Sequence, residues 1–519
     1  MAKYLSQPRI EGPIWLEKDD ISFLQARVSA AESQLQLLDS RIKSRASFEP
    51  CLELAHQRDA VVRLKQAQNV LSPIRRLPSE LLSEIILLSC WPKDGIFTDQ
   101  YKIIRYALVL SSVCIAFRAA AHDTPKLWST LCLSLDAELP GDYSFVKTWL
   151  SRSRCHPLDI YLYFPSYSKT VTSIAMDIMD IIAEFHTQIR VFKFRGSRMV
   201  LYPLVSLQHL SLPLLETVSL KLEARSLYYA TATALHAHRW VETQPSPIEF
   251  LLVPKLRDLE ILGCEHSDVT IAALVIPFEQ LTSVKIDPYG AGPSFQKPDI
   301  CIGLLQRCNN VVALEIHVQL GREFYLDSPV LLPALRSFTI RNDAENIGPI
   351  RCIAAPVLED LTLSWPRAWY RKNCRDICRD VVNFQQRSSF TLSSLTIRNI
   401  DMMDEHAIDM LSFFSSVKLF RMDRIQHKAS LFERLTCSNS QPIVFPQLTQ
   451  LEIVGFYLNQ DLECELLRKM IISRWWPNEA PRDGLTRLQK VIFDQQSRFY
   501  NEEDMSYICG LSGLEVVRV

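Results

Sequence analysis

Apolar positions in the first seventy residues recur at the spacing of a coiled helix. Leu24, Val28, Ala31, Leu35, Leu38 and Ile42 advance by four and three in alternation, so an α-helix turns all of them to one seam. Glu32, Gln34, Asp39 and Arg41 surround that seam. Pro50 interrupts the pattern, and Leu54, Val61 and Leu64 carry a weaker stripe toward Asn69. The pattern fits a helical hairpin or single long helix within one chain, or a coiled coil between chains. The second stripe is thin for dimerisation alone, which favours the first arrangement.

The pattern changes at "LSPIRRLPSELLSEIILL". Pro73 and Leu77-Pro78 mark a helix start, where proline's fixed φ suits the first turn. On a 100° wheel Leu81, Ile85 and Leu88 form one stripe, and Leu82 and Ile86 form an adjacent one. That arc is wider than a small bundle covers, and exposed aliphatic surface of this extent marks an interface; a helical bundle with no partner is the plainer alternative. A second apolar helix is predicted over "YALVLSSVCIAFRAAA", with Leu110, Val113, Cys114 and Phe117 on one face. The intervening "KDGIFTDQ" reads as a polar loop. "HDTPKLWSTLCLSL" then turns at Pro125 and buries Leu127 and Trp128 ahead of a strand.

From about residue 156 a phrase of the form L-x-x-L-x-[LI] recurs. The clearest copies are "PKLRDLEIL" (Leu256, Leu259, Ile261), "PALRSFTI" (Leu335, Phe338, Ile340), "APVLEDLTL" (Leu358, Leu361, Leu363) and "FPQLTQLEI" (Leu448, Leu451, Ile453). Looser copies start at Ile189, Leu215, Leu281, Val311, Leu392, Val417, Leu488 and Leu514, and most successive starts lie 23 to 30 residues apart. One short strand cannot bury three aliphatics alone, so neighbouring copies must stack in parallel to close a core. Helical stretches such as "AIDMLSFFSSV" and "LECELLRKMIISRWW" would line the convex side; ordinary βα units are the alternative. The third, fifth and seventh positions of each phrase then face the concave side. These include Asp258, Glu260, Lys285, Asp287, Glu315, His317, Arg341, Arg398, Arg421, Asp423 and Glu452. Of these, Glu260, Lys285, Glu315, Arg341, Arg398 and Arg421 are the candidate substrate-binding residues. The long intervals near Trp240 and Trp475 are candidate rim loops, with Trp475 and Trp476 alternatively closing a helix end.

Composition narrows the chemistry. Both charge signs interleave on the candidate face and the formal net charge is -1, which suits a protein partner and neither a nucleic-acid groove nor an acidic membrane. Glycine contributes only 14 of 519 residues, and phosphate-cradling motifs such as G-x-G-x-x-G or G-x-x-x-x-G-K-[ST] do not occur. Neither a G-x-S-x-G elbow nor an H-E-x-x-H helix is present. Catalytic residues, metal ligands and cofactors are therefore not expected. The 14 cysteines, without an apolar leader, read as reduced buried thiols. Cys374 and Cys378 lack the further ligands of a zinc site. No apolar run is long enough to span a bilayer.

The residues Leu77-Pro78-Ser79-Glu80-Leu81-Leu82-Ser83-Glu84-Ile85, followed by Val113-Cys114-Ile115-Ala116-Phe117, resemble an F-box. In place of the short leucine-bearing helix that many F-boxes carry between these halves, this chain has its polar loop. With the coiled segment ahead and the repeats behind, the chain is similar to the divergent F-box proteins of mushroom-forming fungi. The resemblance implies a non-catalytic substrate receptor of a cullin–RING (SCF-type) ubiquitin ligase, cytoplasmic or nuclear. A three-helix module would dock on the Skp-type adaptor through Leu77, Pro78, Leu81, Leu82, Ile85, Val113 and Phe117, and leucine-rich repeats would select a protein substrate. A self-associating scaffold with a vestigial F-box is the alternative. The expected organisation is α/β: a flexible tail over 1–20, a coiled coil or hairpin over 21–70, the F-box over 71–135, and an irregular leucine-rich-repeat solenoid with a parallel sheet over 136–519.

Overall fold

The computed structural model describes residues 14–44, 50–135, 143–165, 169–201, 204, 212–222, 253–262, 276–287, 298–318, 328–342, 348–364, 374–399, 405–425, 428–438, 442–455, 457–458, 461–476, 484–494, 498–499 and 502–518. It divides into two compact units, residues 1–134 with 140–163, and residues 135–139 with 164–519. Among the described residues the first unit pairs two strands in parallel, and the main sheet of the second unit stacks twelve parallel strands and is not closed on itself.

The first unit opens with α1 (Lys18–Ser44) and α2 (Pro50–Leu71). The two helices run antiparallel against each other: Gln57 near the start of α2 donates to Asp39 near the end of α1 at 2.5 Å. At the opposite end, Leu24 packs with Ala67 and Val70, and Ile14 completes that cluster. Leu24, Ala31 and Leu38 are the buried members of the α1 seam, while Val28 and Leu35 are half-buried. The facing stripe differs from the expected one. Ala60, Ala67 and Val70 are buried, Val61 and Leu64 only partly so, and the side chains of Ile42 and Leu54 lie outside the described residues. Alanine lets two helices approach closely, so the larger side chains end at the margins of the seam.

A 3₁₀ turn, Pro73–Arg76, leads to α3 (Ser79–Cys90). Pro78 caps this helix, and its carbonyl accepts the first helical bond from Leu82 N at 3.1 Å. The single helix expected after the polar loop is two: α4 (Ile103–Val113) and α5 (Ile115–His122), separated by an extended Cys114 (φ −162°, ψ 176°). The Ser111 and Ser112 hydroxyls donate to the carbonyls of Ala107 and Val109 at 2.5 and 2.7 Å, a competition with backbone bonding that weakens a helix where it occurs. Arg118 Nε covers the freed Ser111 carbonyl at 3.2 Å. The short helix α6 (Pro125–Trp128) buries Leu127 and Trp128 ahead of β1 (Thr130–Ser134). After α7 (Phe145–Arg152), β2 (Leu158–Phe164) pairs in parallel with β1.

In the second unit each of the twelve recurring phrases falls on one strand. These are β3 (Ile189–Gly196), β4 (Thr217–Leu222), β5 (Asp258–Leu262), β6 (Ser283–Asp287), β7 (Ala313–Val318) and β8 (Ser337–Asn342). They continue as β9 (Asp360–Ser364), β10 (Ser394–Arg398), β11 (Leu419–Asp423), β12 (Gln450–Val454), β13 (Lys490–Phe493) and β14 (Glu515–Arg518). From β4 onward each pairs in parallel with its predecessor. The second residue of every phrase donates its N–H to the carbonyl of the second residue of the phrase before, as in Glu216 to Arg190, Arg257 to Glu216 and Thr282 to Arg257, at 2.8–2.9 Å. The leading apolar residue of each phrase is buried, as are the alternate strand positions such as Leu259 and Ile261, Phe338 and Ile340, and Leu451 and Ile453. Helices lie between strands: α8 (Lys169–Ala183), α9 (Pro298–Arg307), α10 (Gly348–Cys352), α11 (Cys374–Ser388), α12 (Glu405–Leu411), α13 (Lys428–Leu435), α14 (Asp461–Arg474) and α15 (Glu502–Cys509).

Candidate functional site

Helix α3 carries its two apolar stripes to opposite fates. Leu82, Ile86, Leu87 and Cys90 are buried, whereas Leu81, Ile85 and Leu88 stay 53%, 40% and 61% exposed. Polar partners hold this helix in place: Ser83 Oγ donates to the Ala120 carbonyl at 3.3 Å, and Tyr101 Oη donates to the Cys90 carbonyl at 2.9 Å. The exposed stripe is thus a feature of an ordered helix.

Of the candidate docking residues, Pro78, Leu81, Ile85 and Val113 are exposed and Leu77 is half-buried. Leu82 and Phe117 are buried. Both line a cleft of about 90 Å³ shared with Ile74, Leu77 and Cys114. The helix break at Cys114 separates Phe117 from Val113 and sends one inward and the other outward. Sequence reasoning missed Tyr106, Leu108 and Val109, which lie exposed on α4 with Val113. Tyr106, Val109 and Val113 stand at i, i+3 and i+7, a stripe that becomes readable once the helix is ended at Val113.

The segment preceding α3 is anchored by Arg75. Its guanidinium donates twice to Asn69 Oδ1 at 3.0 and 3.1 Å, and its carbonyl accepts from Ile14 N at 2.8 Å. Arg75 Nη1 also approaches Cys114 Sγ at 3.5 Å. One residue therefore ties the end of α2, the chain before α1 and the α4–α5 break together beside Leu77.

The six candidate substrate residues lie on the open face of the second unit, in two neighbouring rows of the sheet. One row reads Ser219, Glu260, Lys285, Glu315, Thr339, Thr362, Thr396, Arg421 and Glu452 across successive strands. The next contains His317, Arg341, Ser364, Arg398 and Asp423. Arg341 and Arg398 therefore do not share a row with the other four candidates. Lys285 Nζ sits 3.5 Å from Glu260 and 3.1 Å from Glu315, and Arg341 reaches Glu315 at 3.5 Å. Arg398 meets Asp423 at 3.3 Å, Arg424 meets the same carboxylate at 3.1 Å, and Arg421 meets Glu452 at 3.3 Å. Threonine and serine separate these ion-pair groups along the rows. His317 is buried, and the side chain of Asp287 lies outside the described residues.

The rim candidates diverge. Trp240 lies outside the described residues, Trp476 is buried at the end of α14, and Trp475 donates to the Ser512 carbonyl at 3.2 Å. Burial pushes the Cys90 thiol up to about 11 and the Cys132 and Cys308 thiols up to about 12. They stay protonated at neutral pH and are poor nucleophiles. Cys378 is buried, while the side chain of Cys374 lies outside the described residues. Among the described residues no His, Cys, Asp and Glu side chains group as metal ligands, and no helix is long and apolar enough to cross a membrane. No protein-family model matches the chain, and no curated protein matches it.

Proposed function

We propose that this chain is the substrate-recognition subunit of a cullin–RING ubiquitin ligase. In this reading α3, α4 and α5 form an F-box that docks on a Skp-type adaptor, and the second unit is an irregular leucine-rich-repeat solenoid whose concave strands bind a protein substrate. The chain itself performs no chemistry, and it acts in the cytoplasm or nucleus. The observation that supports the reading best is the exposed stripe Leu81, Ile85 and Leu88, which follows Leu77-Pro78 on a helix whose other apolar stripe is already buried. An ordered helix that keeps three large aliphatics in water is stabilised by a partner that covers them. Val109 and Val113 on α4 are further exposed apolar side chains of the same unit.

The self-associating scaffold is less well supported. The seam of α1 that would pair two chains is occupied by α2 of the same chain. Affinity purification of the tagged full chain from cells, followed by quantitative mass spectrometry, tests the proposal. Adaptor and cullin are expected to co-purify with the native chain and to be lost from Leu81→Asp/Ile85→Asp. Their absence from the native chain's partners would refute the ligase reading.

A further inference from the structure

Between Asp99 and Asp123 the chain carries Lys102, Arg105 and Arg118 and has no Asp or Glu. Helix α4 lies inside this acid-free stretch. Its inward face is Ile103, Ala107 and Ser111, all buried. At 100° per residue, Arg105, Val109, Val113 and Tyr106 fall on the other side within an arc of about 100°. Lys102, the N-cap residue, stands one turn before Tyr106 on the same side. All five side chains are exposed. The outward face of α4 therefore mixes two cations with three large apolar groups.

Neither cation is compensated within the chain. Among the described residues, Lys102 and Arg105 have no carboxylate at ion-pair distance, and neither side chain donates a hydrogen bond. Asp123, the next acid along the chain, faces Arg154 at 3.8 Å. The acids of α3, Glu80 and Glu84, are exposed and form no ion pair with them. The second unit differs, since Lys285, Arg341, Arg398 and Arg421 each meet a carboxylate. A purely apolar partner covering α4 would strip water from two unpaired charges, which is costly. A partner that brings carboxylates avoids that cost and gains orientation from the pairing.

We infer that the outward face of α4 docks an acidic amphipathic element of the partner. Its carboxylates meet Lys102 and Arg105, and its apolar side chains cover Tyr106, Val109 and Val113. In the docking reading, on which this rests, that element belongs to the adaptor. A basic, apolar helix face can also lie on an anionic bilayer. Two cations attract such a surface only weakly, so a protein surface is the better fit.

Binding kinetics of the purified full chain and the purified Skp-type adaptor, followed from low to physiological salt, test the inference. Association with the native chain should slow as salt rises. Lys102→Gln/Arg105→Gln should weaken binding by about tenfold and flatten the salt response, and Lys102→Glu/Arg105→Glu should weaken it by about 100-fold or more. Arg63→Gln/Lys65→Gln removes the same charge from exposed positions of α2 and should change neither. Hydrogen exchange of 103–113 should match the native chain in every variant, because the substituted side chains are exposed. If the native chain ignores the adaptor, the docking reading falls and the inference with it. If it binds, and the α4 Gln pair shows native affinity and salt response or the α2 pair loses as much, the inference alone is overturned. Sedimentation of the native chain with phosphatidylserine vesicles, lost in the α4 Gln pair while adaptor binding stays native, would assign the face to a membrane and also overturn it.

Discussion

Truncating two adjacent isoleucines of α3 separates its faces energetically. Ile86 is fully buried and Ile85 is 40% exposed. Both substitutions to Ala gain the same helix propensity, a few tenths of a kcal/mol, so this contribution cancels between them. Ile86→Ala removes buried carbons and leaves a cavity inside the unit, costing about 2–5 kcal/mol. Ile85→Ala removes carbons already in part hydrated and costs about 1 kcal/mol. Hydrogen exchange of the full chain, read on peptides covering 79–90 and 115–122, reports these costs as opening free energies. Ile86→Ala should accelerate protected amides by about 30-fold or more, at 1.4 kcal/mol per factor of ten, and Ile85→Ala by less than about tenfold. Equal acceleration by the two variants, or a larger effect at Ile85, would refute the assignment of faces.

Arg474 is buried and donates to the carbonyls of Leu435, Phe445 and Val444 at 2.7, 2.9 and 2.5 Å. Arg474→Met should therefore destabilise the second unit by about 3 kcal/mol, since three carbonyls lose their donor while only one desolvated charge is relieved; urea unfolding of the full chain measures this. Ala67→Leu should weaken the α1–α2 packing by about 1–3 kcal/mol through overpacking at a fully buried contact, seen as faster exchange at both helices. Cys155 and Cys509 are exposed whereas Cys90, Cys132 and Cys308 are buried with raised thiol values. A maleimide pulse on the native chain at pH 7.5, read peptide by peptide, should modify the first two and spare the other three.

The repeat strands were legible because three apolar residues at fixed spacing leave a strand only one way to face a core; Leu256, Leu259 and Ile261 behave as their pattern requires. The two stripes of α3 were legible for the same reason. The α2 contact surface was not, because Ala60 and Ala67 carry little hydrophobic weight and matter by being small. The break at Cys114 depends on where Ser111 and Ser112 send their hydroxyls, which spacing does not encode. The charged rows were visible as alternation, but their pairing was not. Lys285 finds Glu260 and Glu315 only once parallel register places residues 25 to 30 positions apart side by side.

The most direct test of the account is a calorimetric titration of the purified Skp-type adaptor into the purified full chain. Saturable one-to-one binding with a negative heat-capacity change is expected, as burial of Leu81, Ile85 and Leu88 requires, and it should be lost in Leu77→Ala/Pro78→Ala with the exchange protection of α3's buried face retained. Absence of binding by the native chain, or full binding by the variant, would contradict it.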